Sequence, residues 1–367
     1  GEFARDRDLN EDEIVAYLDN GKIPSIRLYS NGNPEQRIFC KDAVRGSIGF
    51  PENNEDIVLI KSNDGLPTYH FAHLCDDHFM RTTHVIRGEE WLPSLPLHVQ
   101  LFRMMGWTAP LYIHTSTIDK IDEETGKQRK LSKRKDPEAN VAFFLEAGWP
   151  VEAVIEYLGN IAASGYEEAK MKKGQVKSFW DYEIRPKKIP MSGALFDMKK
   201  LEWWAKEFIG SLPVPELVAR VAQWANEYGT DANKMQVADV NYLTGVLGIE
   251  RDNPKRVRKD FITWSQTLEN VAFFWDELFV PNTEYEFNRD ALKAFLETYN
   301  PADDKDTWWA KIVAVAESLG VKNGDVAMNL RVALSGRTNT PDLYSIMSVM
   351  GGERVKQRVQ NAIKAKF

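Results

Sequence analysis

Lys127-Gln128-Arg129-Lys130-Leu131-Ser132-Lys133-Arg134-Lys135 places six basic side chains within nine residues of a chain whose formal net charge is −7. The run follows an acidic, glycine-containing turn, Asp122-Glu123-Glu124-Thr125-Gly126, and precedes Asp136-Pro137-Glu138, which has the composition of a helix start. A basic, serine-containing loop at such a position suits a polyphosphate. Lysines supply point charge, Arg134 a planar fork and Ser132 a hydroxyl. Charge alone leaves a second reading open, a solvated basic hairpin tip, because short basic runs carry little specificity.

The composition bounds the answer. With 367 residues, 43% of them hydrophobic and 11% aromatic, the chain is long enough for two or more domains with real cores. No apolar run reaches transmembrane length, so no membrane association is expected. Cys40 and Cys75 are the only cysteines and lie in no metal-ligand spacing. A reduced, cytoplasmic setting fits them better than a disulfide framework. The net acidity argues against a purely electrostatic nucleic-acid binder, although local basic patches outweigh the total. The chain opens Gly1-Glu2-Phe3-Ala4-Arg5, without methionine, and so reads as a cut or proteolytic piece.

Residues 1–65 read as a small α+β module. A helix starts at Asn10-Glu11-Asp12-Glu13 and ends at Asn20-Gly21. Strand-like runs follow at 25–29, 37–40 and 57–61. Asn31-Gly32-Asn33-Pro34 is expected to turn between the first two, and Asn63-Asp64-Gly65 to end the third. In residues 66–110 a helix is expected after Leu66-Pro67-Thr68. A short buried strand, His84-Val85-Ile86-Arg87, is expected to deliver polar residues at its carboxyl end, where open α/β sheets bind ligands. All six histidines lie between His70 and His114. A metal site through His70, His73 and His78 is the tempting reading, but no compact ligand pattern supports it, and none is assigned.

Lys130-Leu131-Ser132-Lys133-Arg134 resembles the Lys-x-Ser-Lys-Arg form of the second signature of class I aminoacyl-tRNA synthetases, and in particular that of the glutamyl-tRNA synthetase family. Pro67-Thr68-Tyr69-His70-Phe71-Ala72, Asp76-Asp77-His78 and Val85-Ile86-Arg87-Gly88-Glu89-Glu90-Trp91, followed by Pro96, His98 and Gly106-Trp107, are similar to the second half of that family's catalytic domain. The resemblance implies a loop of Lys130, Ser132, Lys133 and Arg134 that closes over ATP, with Lys130 and Lys133 stabilising phosphate charge. It implies contacts from Tyr69, His73 and Arg87 to the amino acid, Arg87 pairing with a carboxylate. Glu90 and Trp91 would border the ribose and adenine of ATP. The family often has asparagine where His73 stands, which puts that role in question. A structural ion pair remains the rival reading for Arg87, and core packing for Trp91.

Residues 111–212 are expected to carry an amphipathic helix from Asp136 through Leu145, ended at Gly148-Trp149-Pro150, and a second helix through Val154–Ile161, both mainly core. Lys170, Lys172, Lys173 and Lys177 form a second basic cluster, a solvated face or an RNA-backbone surface. Residues 213–367 read as helical, with a helix from Pro215-Glu216 and no repeat of fixed length. Arg251, Lys255, Arg256, Arg258 and Lys259 form a third basic patch. Asn329 through Arg337, with Pro341, resembles the family's final anticodon-binding region, so Arg251, Arg256 and Arg337 are the expected tRNA contacts, Arg251 as an anticodon reader.

The expected fold is therefore mixed α/β and then all-α. Residues 1–65 would be a remnant of the acceptor-end-binding insertion and 66–110 the second half of a Rossmann-type catalytic domain. Residues 111–212 would be a stem-contact region carrying the basic loop, and 213–367 a helical anticodon-binding region. The family's first signature, His-x-Gly-His, does not occur in the 367 residues. The resemblance thus implies the carboxy-terminal portion of a glutamate–tRNA ligase, a monomer whose partners are tRNA-Glu, glutamate and ATP, with Mg2+ accompanying ATP. A non-catalytic tRNA-binding derivative and a glutaminyl-specific or non-discriminating relative stand as alternatives.

Overall fold

The computed structural model describes residues 4–172, 176–252 and 257–364. In chain order the first elements are α1 (Glu11–Asp19), β1 (Ile26–Arg27), β2 (Arg37–Asp42), β3 (Gly46–Pro51), β4 (Val58–Ile60), α2 (Tyr69–Phe79), β5 (His84–Gly88), α3 (Leu95–Met104), β6 (Leu111–Thr115), β7 (Ile118–Ile121) and β8 (Gln128–Lys130). Then come α4 (Val141–Ala147), α5 (Val151–Ala162), α6 (Tyr166–Met171), β9 (Ala194–Leu195), α7 (Met198–Ser211), α8 (Val214–Glu227), α9 (Asp231–Ala238) and α10 (Val240–Gly248). The chain finishes with α11 (Trp264–Val271), α12 (Arg289–Thr298), α13 (Lys305–Leu319), α14 (Asn323–Ser335), α15 (Leu343–Met350) and α16 (Gly352–Lys364).

These elements form two compact units. The first holds the described residues up to Leu131 together with Leu158–Phe196; the second holds Ser132–Tyr157 and the described residues from Asp197 onward. Strand β2, placed by sequence with residues 1–65, lies in one sheet with β5 and β6.

That sheet has the order β3-β2-β6-β5. Strands β2 and β3 form an antiparallel hairpin from Arg37↔Pro51 to Asp42↔Gly46, while β6 runs parallel to β2 and to β5. Parallel strands need a crossover, and α3 lies in the crossover between β5 and β6. Strand β5 departs from its expected burial. It ends the sheet order, and Ile86 is 69% exposed because alternation turns it opposite to Val85 and Arg87. The buried centre of the sheet is β6, where Tyr112, Ile113 and His114 are all buried.

The loop 31–34 is a connection between sheets, not a hairpin turn, since β1 pairs with β4. Glycine is needed at position 32 because a Cβ there would lie 2.1 Å from the Asn53 carbonyl oxygen. The helix α1 forms as expected, with a capping box between Asn10 and Glu13, and buries none of its side chains. Leu28, Leu74, Leu97, Leu101 and Phe102 make one core of this unit, and Cys40, Leu95 and Tyr112 another. Strands β7 and β8 form the hairpin around the acidic turn, with β9 parallel to β7. Arg129 donates to Asp122 at 2.7 Å; with the bonds from Thr125 this holds the Asp122 carboxyl down at about 2.

In the second unit α4 begins at Asn140, whose side chain accepts from the Ala142 N–H, and not at Asp136. It buries none of its side chains, contrary to the core reading. Gly148 ends it in the left-handed region at φ +78°. The indole of Trp224 and the hydroxyl of Ser265 donate to the Leu145 and Ala147 carbonyls, satisfying acceptors the short helix leaves open. From α7 onward the described segments are helical, around one continuous core that includes Trp224, Phe261, Phe295, Trp308 and Leu330.

Candidate active site

Helix α2 presents Tyr69, His73 and Asp77 at successive four-residue steps, hence on one face. Tyr69 stacks on His73 with ring centroids 6.0 Å apart and lies 4.9 Å from the ring of Trp91. Asp77 holds Nδ1 of His73 at 3.0 Å, and Nε2 of His73 is buried without a partner. Arg87, near the carboxyl end of β5, enters the same group. Its guanidinium carbon is 5.9 Å from the Trp91 ring and 4.9 Å from that of Tyr112. The expected amino-acid contacts Tyr69, His73 and Arg87 thus converge, together with Trp91. His78 leaves the group and stacks on Trp107 at 3.8 Å. Among the described residues no cluster of three His, Cys, Asp or Glu side chains is placed to hold a metal ion.

Among the described residues no carboxylate pairs with Arg87. Nε donates to Nε2 of His114 at 2.9 Å and Nη1 lies 3.1 Å from Nδ1 of His98, so both imidazoles must be neutral acceptors at those atoms. Nη2 is buried and makes no well-formed hydrogen bond. His98 in turn meets Nδ1 of His70 at 2.9 Å. Burial, aided by the Arg87 charge, lowers all four histidines of this group, His98 to about 2 and His70, His73 and His114 in the same direction. Burial also lowers Arg87 itself. Burial pushes the Asp42 carboxyl up, but bonds from the His114 ring and from the N–H groups of Arg45, His114 and Val44 outweigh it and leave it lowered.

This arrangement fixes a pH dependence. A histidine whose folded pKa lies below its unfolded value of about 6.5 costs stability as the pH falls through 6.5, because only the unfolded chain then takes the proton. His98 alone is expected to remove about 1 kcal/mol between pH 6.5 and 5.5, and His70, His73 and His114 act with the same sign. Denaturant unfolding of the chain at pH 7.5 and 5.5, followed at β6 and α3 by hydrogen exchange, checks this. Equal protection at the two pH values, after correction for intrinsic exchange, would contradict it.

Glu90 and Lys130, both expected at the nucleotide, meet at 2.7 Å, and this contact lowers the Glu90 carboxyl. Both are about half exposed, so the pair contributes little to stability and is readily exchanged for a ligand. Ser132, Lys133 and Arg134 belong to the second unit. The turn is closed on Ser132. Its N–H donates to the buried Asp136 carboxylate at 2.8 Å, and its carbonyl accepts from the Lys135 and Asp136 N–H groups. Lys133 and Arg134 are exposed. Asp136 starts the 3-10 turn Pro137–Ala139 through its carbonyl, while its carboxylate anchors the basic turn.

Two comparisons decide the family. Residues 3–203 match the family described as tRNA synthetases class I (E and Q), catalytic domain, and residues 216–363 match an anticodon binding domain. The glutamate–tRNA ligase of Clostridium perfringens strain 13 is 42% identical over 98% of this chain and 70% of its own length. That of Acetivibrio thermocellus is 38% identical over 99% and 70%. The chain belongs to the glutamate–tRNA ligase family. It is thereby a class I aminoacyl-tRNA synthetase, a ligase. The crystal structure of a glutamate tRNA ligase from Elizabethkingia meningosepticum in complex with its amino acid superposes with a TM-score of 0.76 at 27% identity, covering 97% of this chain and 71% of that one.

Within the family's anticodon-binding domain, the expected RNA contacts have mixed positions. Arg251 is buried. Its Nη2 donates to the carbonyls of Ile209 at 2.6 Å and Leu212 at 3.0 Å, and lies 3.4 Å from that of Gly210. This is the chemistry of a cap on the carboxyl end of α7, and it leaves the residue expected to read the anticodon buried instead of at the surface. Arg337 is exposed and donates to the carbonyls of Asn270 and Glu269 at the end of α11. It lines a cavity of about 370 Å³ with Arg258, Phe273, Asn339 and Thr340. Arg256 and Lys255 lie outside the described residues, as does Lys173.

Sequence reasoning did not single out Asp42 or His114, and placed His98 only within a motif. The available signal was alternation: in Leu111-Tyr112-Ile113-His114-Thr115, a histidine stands on the buried line of an otherwise apolar strand. Among the described residues no helix is long and apolar enough to cross a membrane.

Proposed function

We propose that this chain serves the activation of glutamate with ATP and its transfer to tRNA-Glu. The observation that carries the reading is the Arg87 guanidinium, held by two neutral histidines with Nη2 buried and without a well-formed hydrogen bond, in a member of this family. A half-buried cation without an acidic partner suits an anionic ligand, and the fork of arginine suits a carboxylate. It therefore favours glutamate over its neutral amide. Tyr69 and His73 would border the amino acid, and Glu90 and Trp91 the nucleoside. Lys130, Lys133, Arg134 and the Ser132 turn would meet the phosphates, stabilising charge as pyrophosphate leaves. Magnesium would arrive on the ATP phosphates. Catalysis would rest on position and charge, with no covalent protein nucleophile.

We assign residues 1–65 to acceptor-end contact, 66–110 to the second half of a Rossmann-type catalytic domain, 111–212 to stem contact and 213–367 to the anticodon region. The protein acts as a monomer in the reducing cytoplasm. Because the 367 residues hold no His-x-Gly-His string, the isolated chain binds tRNA but does not itself form the adenylate.

The test is binding to tRNA-Glu, tRNA-Gln and an unrelated tRNA across a salt series, with ATP–pyrophosphate exchange measured on the same preparation. Selective binding that survives moderate salt, without exchange, is the expected result. Equal binding to all three with a steep salt slope would leave only phosphate contacts and overturn the anticodon assignment. Robust exchange would overturn the inactivity of the isolated chain.

A further inference from the structure

We propose that Asp42 and His114 are positioning residues for Arg87, through a buried relay that fixes the His114 tautomer and so leaves one corner of the guanidinium for a ligand carboxylate. The proposal rests on the reading of Arg87 as the carboxylate-binding group.

The relay joins parts of the chain that are far apart in sequence. Asp42 ends β2, and one of its oxygens, Oδ1, accepts from the Val44 and Arg45 N–H groups, closing the β2–β3 turn. The other, Oδ2, faces His114. It accepts from the His114 N–H at 3.0 Å and lies 2.8 Å from Nδ1 of the ring. An ionised carboxylate can only accept, so Nδ1 must carry the proton. A neutral ring with a proton on Nδ1 offers a bare Nε2, and Nε2 lies 2.9 Å from Nε of Arg87, an obligate donor. Donor and acceptor alternate correctly from the carboxylate to the guanidinium.

The second arm obeys the same rule. Arg87 Nη1 requires Nδ1 of His98 to be bare, which puts the His98 proton on Nε2, directed to Nδ1 of His70. With Nε and Nη1 taken, Nη2 is the corner that makes no well-formed hydrogen bond, and the Tyr69 phenol is the further side chain within interaction range of the guanidinium. His98 and His114 are fully buried and Asp42 nearly so, and each ring is fixed by hydrogen bonds. The second set of contacts around a binding group orients the first, as carboxylate–histidine pairs do for metal ligands.

The experiment uses the complete 367-residue chain labelled with 15N in histidine and arginine. Long-range 1H–15N spectra of the rings are expected to show His114 protonated on Nδ1 and His98 on Nε2 at pH 7. Arg87 Nε–H is expected to exchange slowly with water. His114→Phe, which keeps a ring but removes the acceptor, is expected to speed that exchange about tenfold to a hundredfold, the loss of one hydrogen bond to a charged group. Should that variant fail to fold, Asp42→Asn serves: its amide can also donate, so His114 should redistribute between tautomers and Arg87 exchange should accelerate. A wild-type His114 protonated on Nε2, or Arg87 exchange unchanged in a folded variant, would overturn the relay. Adding glutamate separates the two readings. Ring tautomers as expected, with no glutamate-induced shift at Arg87, would uphold the relay and reject the substrate assignment instead.

Discussion

Arg87→Lys is expected to weaken glutamate binding roughly a hundredfold, measured by calorimetric titration of this chain, or by KM in an enzyme extended to the full length of its relatives. ATP binding should hardly change. Arginine is charged at any relevant pH and presents its donors as a rigid fork. Here two faces of the fork are already held by His114 and His98. Lysine has a single ammonium that cannot hold both rings and still reach a carboxylate. Any cation would suffice if long-range charge were the whole effect, so equal affinity in the lysine variant would refute the forked contact. Arg87→Ala separates charge from geometry further. Burial is the main cause of the lowered histidines, but the Arg87 charge adds to it at His70, His73, His98 and His114. Removing that charge should raise their pKa values and make the loss of stability below pH 6.5 shallower, while leaving two buried ring acceptors unpaired.

The local part of this site was legible in the sequence, and the non-local part was not. Tyr69 and His73 share a helix face by their spacing, and Arg87, Glu90 and Trp91 stand within five residues, so a motif could bring them together. The loop was legible because basic side chains around Ser132 form one short string. Asp42 and His114 are 72 residues apart and meet only because β2 runs parallel to β6, a pairing that neither strand's pattern specifies. The edge position of β5 was hidden for a related reason: His-Val-Ile-Arg reads the same in a central strand as at an edge. Asp136 was legible in part: Asp-Pro-Glu does start a 3-10 turn, Pro137–Ala139, but its carboxylate bonds backward to Ser132 instead of capping that turn. Arg251 misled through its company. Placed before Lys255, Arg256, Arg258 and Lys259 it reads as surface, whereas the structure turns its guanidinium inward to the end of α7.

Arg251→Met is therefore expected to destabilise the helical unit by about 2–3 kcal/mol and to leave the discrimination between tRNA-Glu and tRNA-Gln unchanged. Methionine keeps most of the stem volume but removes the donors. The Leu212 carbonyl then loses the guanidinium donor and the Ile209 carbonyl keeps only the Leu212 N–H, in a place where water has little access. Those carbonyls lie at the carboxyl end of a 14-residue helix, where a positive charge is also favoured by the helix dipole. Burial lowers the Arg251 pKa, yet arginine remains charged at neutral pH, so the cation contributes throughout the working range. Chemical denaturation measures the first effect and competitive tRNA binding the second. A base reader would give the opposite pattern: an unchanged unfolding midpoint with discrimination lost. Arg337→Ala supplies the contrast within the same domain. Arg337 is exposed at a cavity edge, where it donates to the Glu269 and Asn270 carbonyls and lies over the Phe273 ring, so its removal should cost less stability and weaken tRNA binding more than the loss of Arg251 does.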